Sequence, residues 1–84
     1  MYEVLLESAA ERDLRHLPSD MFRSVVRRIA GLARAPRPPG CRKIVGSVRD
    51  WRIRVGDYRV VYEIDDRQHA VTVLHVGHRK DVYR

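Results

Sequence analysis

A period-two pattern of apolar and polar positions runs through the middle of the chain. Apolar and polar residues alternate from Trp51 to Val55, and β-branched and aromatic residues fill positions 58–62. Both segments are typical of β-strands. Gly56-Asp57 lies between them as a two-residue connection of the Gly-Asp type, so the pattern predicts a β-hairpin with a tight turn.

The turn fixes how the two strands pair. Arg54 faces Arg59, and Arg52 falls on the same face, so three guanidinium groups lie together. Like charges directly opposed across strands cost on the order of 0.2–1 kcal/mol, and we therefore expect a compensating negative charge. Two sources stay open. One is the neighbouring carboxylates Glu63 and Asp50, and the other is an external anion such as phosphate, whose oxygens match the guanidinium fork.

The N-terminal half has helical periodicity after a short strand. Tyr2–Leu6 alternates and predicts the first strand, while Ser8 with Glu11 forms a capping box that predicts a helix beginning at Ser8. Pro18-Ser19-Asp20 then starts a second helix. The apolar positions expected in the core are Ala10, Leu14 and Leu17 on the first helix, and Phe22, Val25, Val26, Ile29, Leu32 and Ala33 on the second.

The second half is rich in strand signals. Prolines within 35–40 end the second helix, residues 42–45 form an extended strand that leads into the hairpin, and Ala70–Val76 forms the last strand. The order β-α-α-β-β-β predicts a single α+β domain over residues 1–84. Two antiparallel helices pack on one face of a mostly antiparallel four-stranded sheet, and the arginine triplet lies on the open face.

Charge narrows the classes of partner. The 84 residues carry 17 Lys plus Arg against 11 Asp plus Glu, a net charge of +6 that favours polyanions such as nucleic acid. The second helix adds a basic side that is either solvated or part of a nucleic-acid-binding surface, formed by Arg23, Arg27, Arg28 and Arg34.

No apolar run is long enough to span a membrane, so we expect a cytoplasmic protein. The spacing of His75, His78 and Cys41 fits no zinc pattern, and we expect neither a metal nor a cofactor.

The last ten residues concentrate groups that transfer protons or bind anions. His75 to Arg84 contains two imidazoles, a carboxylate and a phenol besides its cations. Gly77 allows the chain to leave the last strand, and folding across the sheet would bring His78, Arg79 and Tyr83 to the arginine triplet. The alternative is a frayed basic terminus.

These motifs together resemble the RelE/ParE superfamily of bacterial toxins. The resemblance rests on Asp57-Tyr-Arg-Val-Val-Tyr62, on Val73-Leu-His-Val-Gly-His-Arg-Lys80 and on the near-terminal Val82-Tyr83, and it spans nearly the whole chain. Within the superfamily the chain is most similar to the RelE branch. That similarity implies an endoribonuclease that cuts mRNA in the ribosomal A site, contacts ribosomal RNA and is silenced by a cognate antitoxin.

The resemblance also implies site residues. Arg52 and Arg54 match two basic residues before the turn, Arg59 matches the arginine after it, Arg79 follows the last-strand glycine, and Tyr83 matches a C-terminal tyrosine. The best-known members carry lysines where this chain has Arg52 and Arg54. Arginine stays protonated and is a poor general base, so the departure leaves the proton-transfer group to another residue.

Cleavage of this kind requires deprotonation of the ribose 2′-hydroxyl, stabilisation of the phosphorane-like transition state and protonation of the leaving 5′-oxygen. His78 is the leading acid or base, because imidazole exchanges protons near neutral pH, and His75 is the reserve. Arg59 and Arg79 are assigned to transition-state stabilisation, and Tyr83 to orienting the hydroxyl or stacking on a base.

The remaining basic residues are assigned to RNA binding. Arg52 and Arg54 hold flanking phosphates, while Arg42, Lys43 and the arginines of the second helix are candidates for contact with RNA, including ribosomal RNA. Two other functions are compatible with the same fold. One is a ParE-like toxin that inhibits DNA gyrase without catalysis, and the other is an RNA-binding module that does not cleave.

Overall fold

A computed structural model describes residues 1–80 as one sheet with two helices. The elements are β1 (Glu3–Leu6), α1 (Ser8–Arg15), α2 (Ser19–Gly31), β2 (Arg42–Lys43), β3 (Asp50–Val55), β4 (Tyr58–Asp65) and β5 (Ala70–His78). The sheet order is β1-β5-β4-β3-β2, with β1 parallel to β5 and the other pairs antiparallel. The α+β fold is therefore confirmed. The sheet gains a fifth strand in the described residues because Arg42–Lys43 pairs with β3.

The predicted hairpin is present with its predicted register. Arg54 pairs with Arg59, and the pairing runs without a shift from Val55 and Tyr58 at the turn to Asp50 and Glu63. Gly56 has a φ of 60°. A positive φ at the first central residue is characteristic of the II′ turn, whose twist matches that of the flanking strands.

Both helices begin where the sequence predicted, at Ser8 and Ser19, but the predicted capping box of Ser8 is not formed. Ser8 is the first helical residue of α1, and the cap position belongs to Glu7, whose side chain makes no capping hydrogen bond. The Glu7 N–H donates to the Val73 carbonyl oxygen at 2.9 Å, which keeps the backbone extended through Glu7. The helix therefore begins one residue too early for Ser8 to act as its cap, a role for which Ala9 would have to be the first helical residue. Pro18 precedes α2, again without a side-chain cap.

The core lies between the helices and one face of the sheet. It is formed by Ala10, Leu14, Val25, Ile29, Leu32, Ile53, Val55, Val60, Tyr62, Ile64, Val71, Val73 and Val76. Two residues predicted for it are instead exposed, Phe22 at 41% and Val26 at 39%. On α2 the buried residues are Val25 and Ile29, followed by Leu32 at the C-cap, because only the side of the helix that contacts the sheet loses water. Neither helix of residues 1–80 is long and apolar enough to cross a membrane.

A polar cluster joins three separate segments at the end of the sheet away from the hairpin turn. Asp66 accepts hydrogen bonds from the Tyr2 hydroxyl at 2.6 Å and from Arg37 Nη2 at 2.8 Å. The Tyr2 ring stacks on His69 with centroids 4.8 Å apart. Hydrogen bonds from Arg37 and Tyr2 hold the pKa of the Asp66 carboxyl below its usual range. The cluster therefore links the N-terminus, the segment after α2 and the β4–β5 connection.

The Asp66 contacts predict an acid-dependent loss of stability. A lowered folded-state pKa means that the carboxylate stabilises the fold above its unfolded-state pKa, ordinarily 3.8, and that this contribution disappears as the pH falls through the folded-state value. We expect Asp66→Asn to lower the melting temperature at neutral pH and to converge with the wild type in acid. Thermal unfolding across pH measures this. Glu3→Gln is the control, since Glu3 is an exposed carboxylate on β1 outside the Asp66 cluster, and an equal loss in that variant would contradict the prediction.

Candidate nucleic-acid interface

A row of cross-strand neighbours runs over the face of the sheet that the helices leave open. Arg42 on β2 pairs with Arg52 on β3, Arg52 pairs with Val61 on β4, and Val61 pairs with His75 on β5. Directly opposed residues share a face, so these four side chains lie side by side across four strands. Val61 is 7% exposed although it is not part of the core beneath the helices.

A second row lies one step nearer the hairpin turn on the same face. Arg54 pairs with Arg59, and Arg59 pairs with Gly77, which adds no side chain of its own. The prediction that Arg52, Arg54 and Arg59 share the open face is confirmed. We call the two rows together the arginine face, formed by Arg42, Arg52, Arg54, Arg59, Val61, His75 and Gly77.

The carboxylates of the sheet do not neutralise most of this face. In residues 1–80 the ion pairs are Arg37 with Asp66 and Arg49 with Asp65. Asp50 and Glu63 pair with each other in the next row of the sheet. The guanidinium groups of Arg42, Arg52 and Arg54 consequently have no carboxylate partner within the described chain. Of the two compensating sources that the sequence left open, the external anion is the one that this geometry favours for these three.

A β-bulge decides which histidine reaches the arginine face. Tyr62 pairs with Val73, whereas Val61 pairs with His75, so Leu74 is an extra residue on β5. An added residue reverses the alternation of everything beyond it. His75 and Gly77 therefore lie on the open face, and Val76 is buried on the helix side.

His78 lies on the side opposite the arginines. It pairs with Tyr58 and contacts that ring edge-on, with centroids 5.6 Å apart. Its Nδ1 accepts a hydrogen bond from the Lys80 N–H at 3.2 Å. The expected convergence of His78 with the arginine triplet is not observed. The expectation that the chain turns across the sheet at Gly77 is wrong, because Gly77 remains paired with Arg59 inside β5.

A cavity of about 550 Å³ lies at the edge of β5 beyond the end of β1, where residues from both faces of β5 line it. It is lined by Arg12, Asp13, His16, Leu17, Tyr58, His75, Val76, Gly77 and His78. Asp13 Oδ2 accepts a hydrogen bond from the Val76 N–H at 3.0 Å. The carboxylate thus satisfies a backbone donor that β1 is too short to reach.

The other predicted site residues fall in different places. The Arg79 N–H donates to the Asp57 carbonyl oxygen at 2.8 Å, which holds Arg79 beside the hairpin turn. Lys43 pairs with Trp51 and so alternates to the other face of β2 from Arg42, but it lines a cavity at this sheet edge together with Arg42 and Arg52. Tyr83 lies outside the described residues, and its assignment stays a prediction.

The sequence named Arg28 only as one of four arginines on the basic side of the second helix, and did not separate it from the others. Arg28 Nη1 donates to the Arg54 carbonyl oxygen at 3.4 Å, so this arginine of α2 reaches the edge of β3. The signal was weak because α2 carries several arginines at similar spacing. Chemically, the site offers guanidinium groups for phosphate oxygens and one imidazole, His75, for proton transfer. No group of three or more His, Cys, Asp or Glu within residues 1–80 is arranged to hold a metal ion.

Comparison with known proteins agrees with this architecture. Residues 4–83 match the model of a family described as the ParE toxin of type II toxin-antitoxin systems, parDE. The chain belongs to this toxin family. The resemblance to the RelE/ParE superfamily is thereby confirmed.

Two named relatives of this chain are the toxins RelG and RelE. The toxin RelG of Mycobacterium tuberculosis is 38% identical, with 99% of this chain and 97% of the relative covered. The toxin RelE of the same organism is 36% identical over 99% of this chain and 87% of the relative. In the crystal structure of the M. tuberculosis RelBE2 toxin-antitoxin complex, the matched chain is 34% identical with a TM-score of 0.82, covering 93% of this chain and 98% of that one. Isolated E. coli RelE, 24% identical with a TM-score of 0.81 over 93% of this chain and 84% of that one, shares the fold.

The paired arginines predict a stability gain when one charge is removed. Arg54→Gln eliminates the like-charge opposition with Arg59, so we expect the free energy of unfolding to rise by about 0.2–1 kcal/mol at low ionic strength. The gain should shrink as salt screens the pair. Urea denaturation at two salt concentrations, in a buffer without phosphate or sulfate, measures it. Arg54→Lys retains the charge and should show no gain; a gain in both variants would refute the electrostatic origin of the effect.

Proposed function

We propose that this toxin is a RelE-like endoribonuclease that cleaves mRNA in the ribosomal A site. The observation that carries the proposal is the arginine face, where Arg42, Arg52 and Arg54 have no carboxylate partner within residues 1–80. Guanidinium groups in this arrangement match the oxygens of successive phosphates. The identity to toxins named RelG and RelE supports the same assignment. Action on ribosome-bound message places the proposed activity in the cytoplasm.

The proposed reaction is an internal transesterification. The ribose 2′-oxygen attacks the adjacent phosphorus as a base takes its proton, and an O2′–P bond forms. The P–O5′ bond then breaks, and an acid protonates the departing 5′-oxygen. The products are a 2′,3′-cyclic phosphate and a 5′-hydroxyl, and no cofactor is required.

The arginines are proposed to have two roles: some stabilise the transition state, and others hold the flanking phosphates. Arg59 stands at the centre of the face, between Arg54 and Gly77, and is proposed to stabilise the negative charge that grows on the phosphorane-like transition state. Arg79, held near the turn by its backbone bond to Asp57, is proposed to assist. Arg52 and Arg54 hold the flanking phosphates. Tyr83 is proposed to orient the 2′-hydroxyl or to stack on a base.

Proton transfer is proposed to involve His75 ahead of His78. His75 is exposed on the arginine face, in the row of Arg52. His78 contacts Tyr58 on the other side of the sheet. A general acid or base has to reach the reacting oxygen within hydrogen-bond distance, and geometry takes precedence over residue type in choosing it. The bulge at Leu74 therefore reverses the order in which sequence reasoning ranked the two histidines.

A cognate antitoxin is the proposed regulator. Related toxins have been crystallised in toxin-antitoxin complexes. The net charge of +6 favours an acidic partner. Exposed Phe22 and Val26, at 41% and 39%, lie one turn apart on α2 and offer apolar contacts. An acidic amphipathic segment is the partner that suits such a surface.

Cleavage during translation tests the proposed activity. In vitro translation followed by primer extension should reveal new message ends with the wild-type toxin, and Arg59→Ala should reduce their rate by at least about 10²-fold, since transition-state donors have effects of this size. Arg67→Ala is the matched control, because Arg67 is an exposed arginine in the β4–β5 connection. If new message ends form as fast with Arg59→Ala as with the wild type, the proposal is contradicted.

The two histidines give a separate prediction. His75→Ala should slow cleavage by roughly 10²–10⁴-fold, the usual contribution of a general acid or base, and should flatten its pH profile. His78→Ala should retain the wild-type pH profile. Single-turnover rates on programmed ribosomes across pH measure both variants. The reverse ranking would restore His78 as the proton-transfer residue.

A gyrase assay tests the competing function. The family that matches residues 4–83 is described as the ParE toxin family, so inhibition of DNA gyrase is the specific alternative. Inhibited supercoiling by purified gyrase, without message cleavage, would establish the ParE-like function. RNA binding without cleavage or gyrase inhibition would indicate a binding module.

A further inference from the structure

A further cavity opens at the outer edge of β3, where α2 approaches the arginine face. It has a volume of about 430 Å³ and is lined by Arg28, Pro39, Gly40, Arg42, Arg52 and Arg54. Four of these lining residues are arginines and none is acidic. The volume lies within the range of about 300–1,000 Å³ that is usual for small-molecule sites.

The cavity exists because β2 covers only part of β3. β2 pairs with Trp51 and Arg52 and ends there. The outer edge of β3 is therefore unpaired at Arg54, and Arg28 Nη1 donates to the carbonyl oxygen of Arg54 at 3.4 Å. This bond brings the guanidinium of Arg28 from the helix layer to the rim of the open face.

The charges around the cavity lack internal compensation. Arg42 and Arg52 are directly opposed across two strands, an arrangement that costs energy between like charges. Within residues 1–80 no carboxylate pairs with any of the four lining arginines, since the ion pairs there involve Arg37 and Arg49. The long bond to Arg54 engages one N–H of Arg28, and a guanidinium has five. The remaining donors are available to an anion.

We propose that this cavity is a phosphate subsite for the RNA backbone, with Arg28 as its specific contribution from α2. The proposal rests on the proposed function for its choice of RNA as the anion, but it does not depend on cleavage. Arg52 and Arg54 line the cavity and also belong to the arginine face, so a strand lying across that face continues into the subsite. The same phosphodiester chemistry is present in the message and in ribosomal RNA.

The salt dependence of RNA binding measures the proposed contact between Arg28 and a phosphate. The probes are a short single-stranded 2′-O-methyl oligonucleotide, which keeps the phosphates but lacks the nucleophilic hydroxyl, and empty small ribosomal subunits. For one lost phosphate contact on a single strand, the slope of log affinity against log salt falls by about 0.7. Arg28→Gln should show this fall together with a loss of affinity on the order of tenfold at low salt. If the slope of Arg28→Gln falls with the oligonucleotide, the phosphate belongs to the message. If it falls with the ribosomal subunits alone, the phosphate belongs to ribosomal RNA.

Two further variants separate a local phosphate contact from a general effect of net charge. Arg27→Gln removes the same charge from the adjacent position of α2, which does not line the cavity, and should keep the wild-type slope. Arg28→Lys keeps the charge and should retain most of the slope. An unchanged slope for Arg28→Gln with both probes, an equal fall for Arg27→Gln, or a fall for Arg28→Lys as large as that for Arg28→Gln would overturn the subsite.

These outcomes are independent of catalysis. A wild-type protein that never cleaves message, but whose salt slope falls in Arg28→Gln, would end the proposed nuclease function and leave the subsite standing. Cleavage by the wild type combined with a wild-type slope in Arg28→Gln would end the subsite alone.

Discussion

Antiparallel pairing of β3 with β4 is the constraint on which the rest of this structure depends. The II′-like turn at Gly56 sets a register that buries Ile53 and Val60 beneath the helices. Because side chains alternate between faces, the same register places Arg54 opposite Arg59 on the other side. Burial of the apolar face thus determines the concentration of positive charge on the open face. The energy that the core contributes outweighs the repulsion of about 0.2–1 kcal/mol between the paired guanidinium groups.

The β5 bulge has the largest consequence for chemistry. Without Leu74 as an extra residue, the alternation from Val71 and Val73 would direct His78 to the open face and His75 to the core. With it, the two imidazoles exchange sides. The bulge also buries Val76 beneath the helices, where its N–H is satisfied by Asp13. A single inserted position therefore decides which histidine shares a surface with the arginines.

Partial coverage of the sheet edges shapes the cavity beside β5 and the cavity where α2 approaches β3. β1 ends before the last part of β5, and β2 pairs with only two residues of β3. At each uncovered edge a polar side chain from a helix binds the exposed backbone, Asp13 on β5 and Arg28 on β3. Unpaired sheet edges otherwise recruit other strands. In this protein the short outer strands instead leave backbone groups exposed, and helix side chains bind them. At β3 the result is a cavity lined by arginines.

The sequence alone determined the order of the two helices and the four longer strands, the hairpin and the face shared by Arg52, Arg54 and Arg59, because turn chemistry and period-two alternation act over a few neighbouring residues. The RelE/ParE resemblance likewise followed from local motifs. Tertiary structure alone decided the side of His78, the alternation of Lys43 to the other face of β2 from Arg42, and the recruitment of Arg28. Each of these depends on a partner distant in the chain: the pairing of β5 with β4, that of β2 with β3, and the packing of α2 near the edge of β3. No local pattern encodes the bulge, since its position follows from how two distant strands fit together.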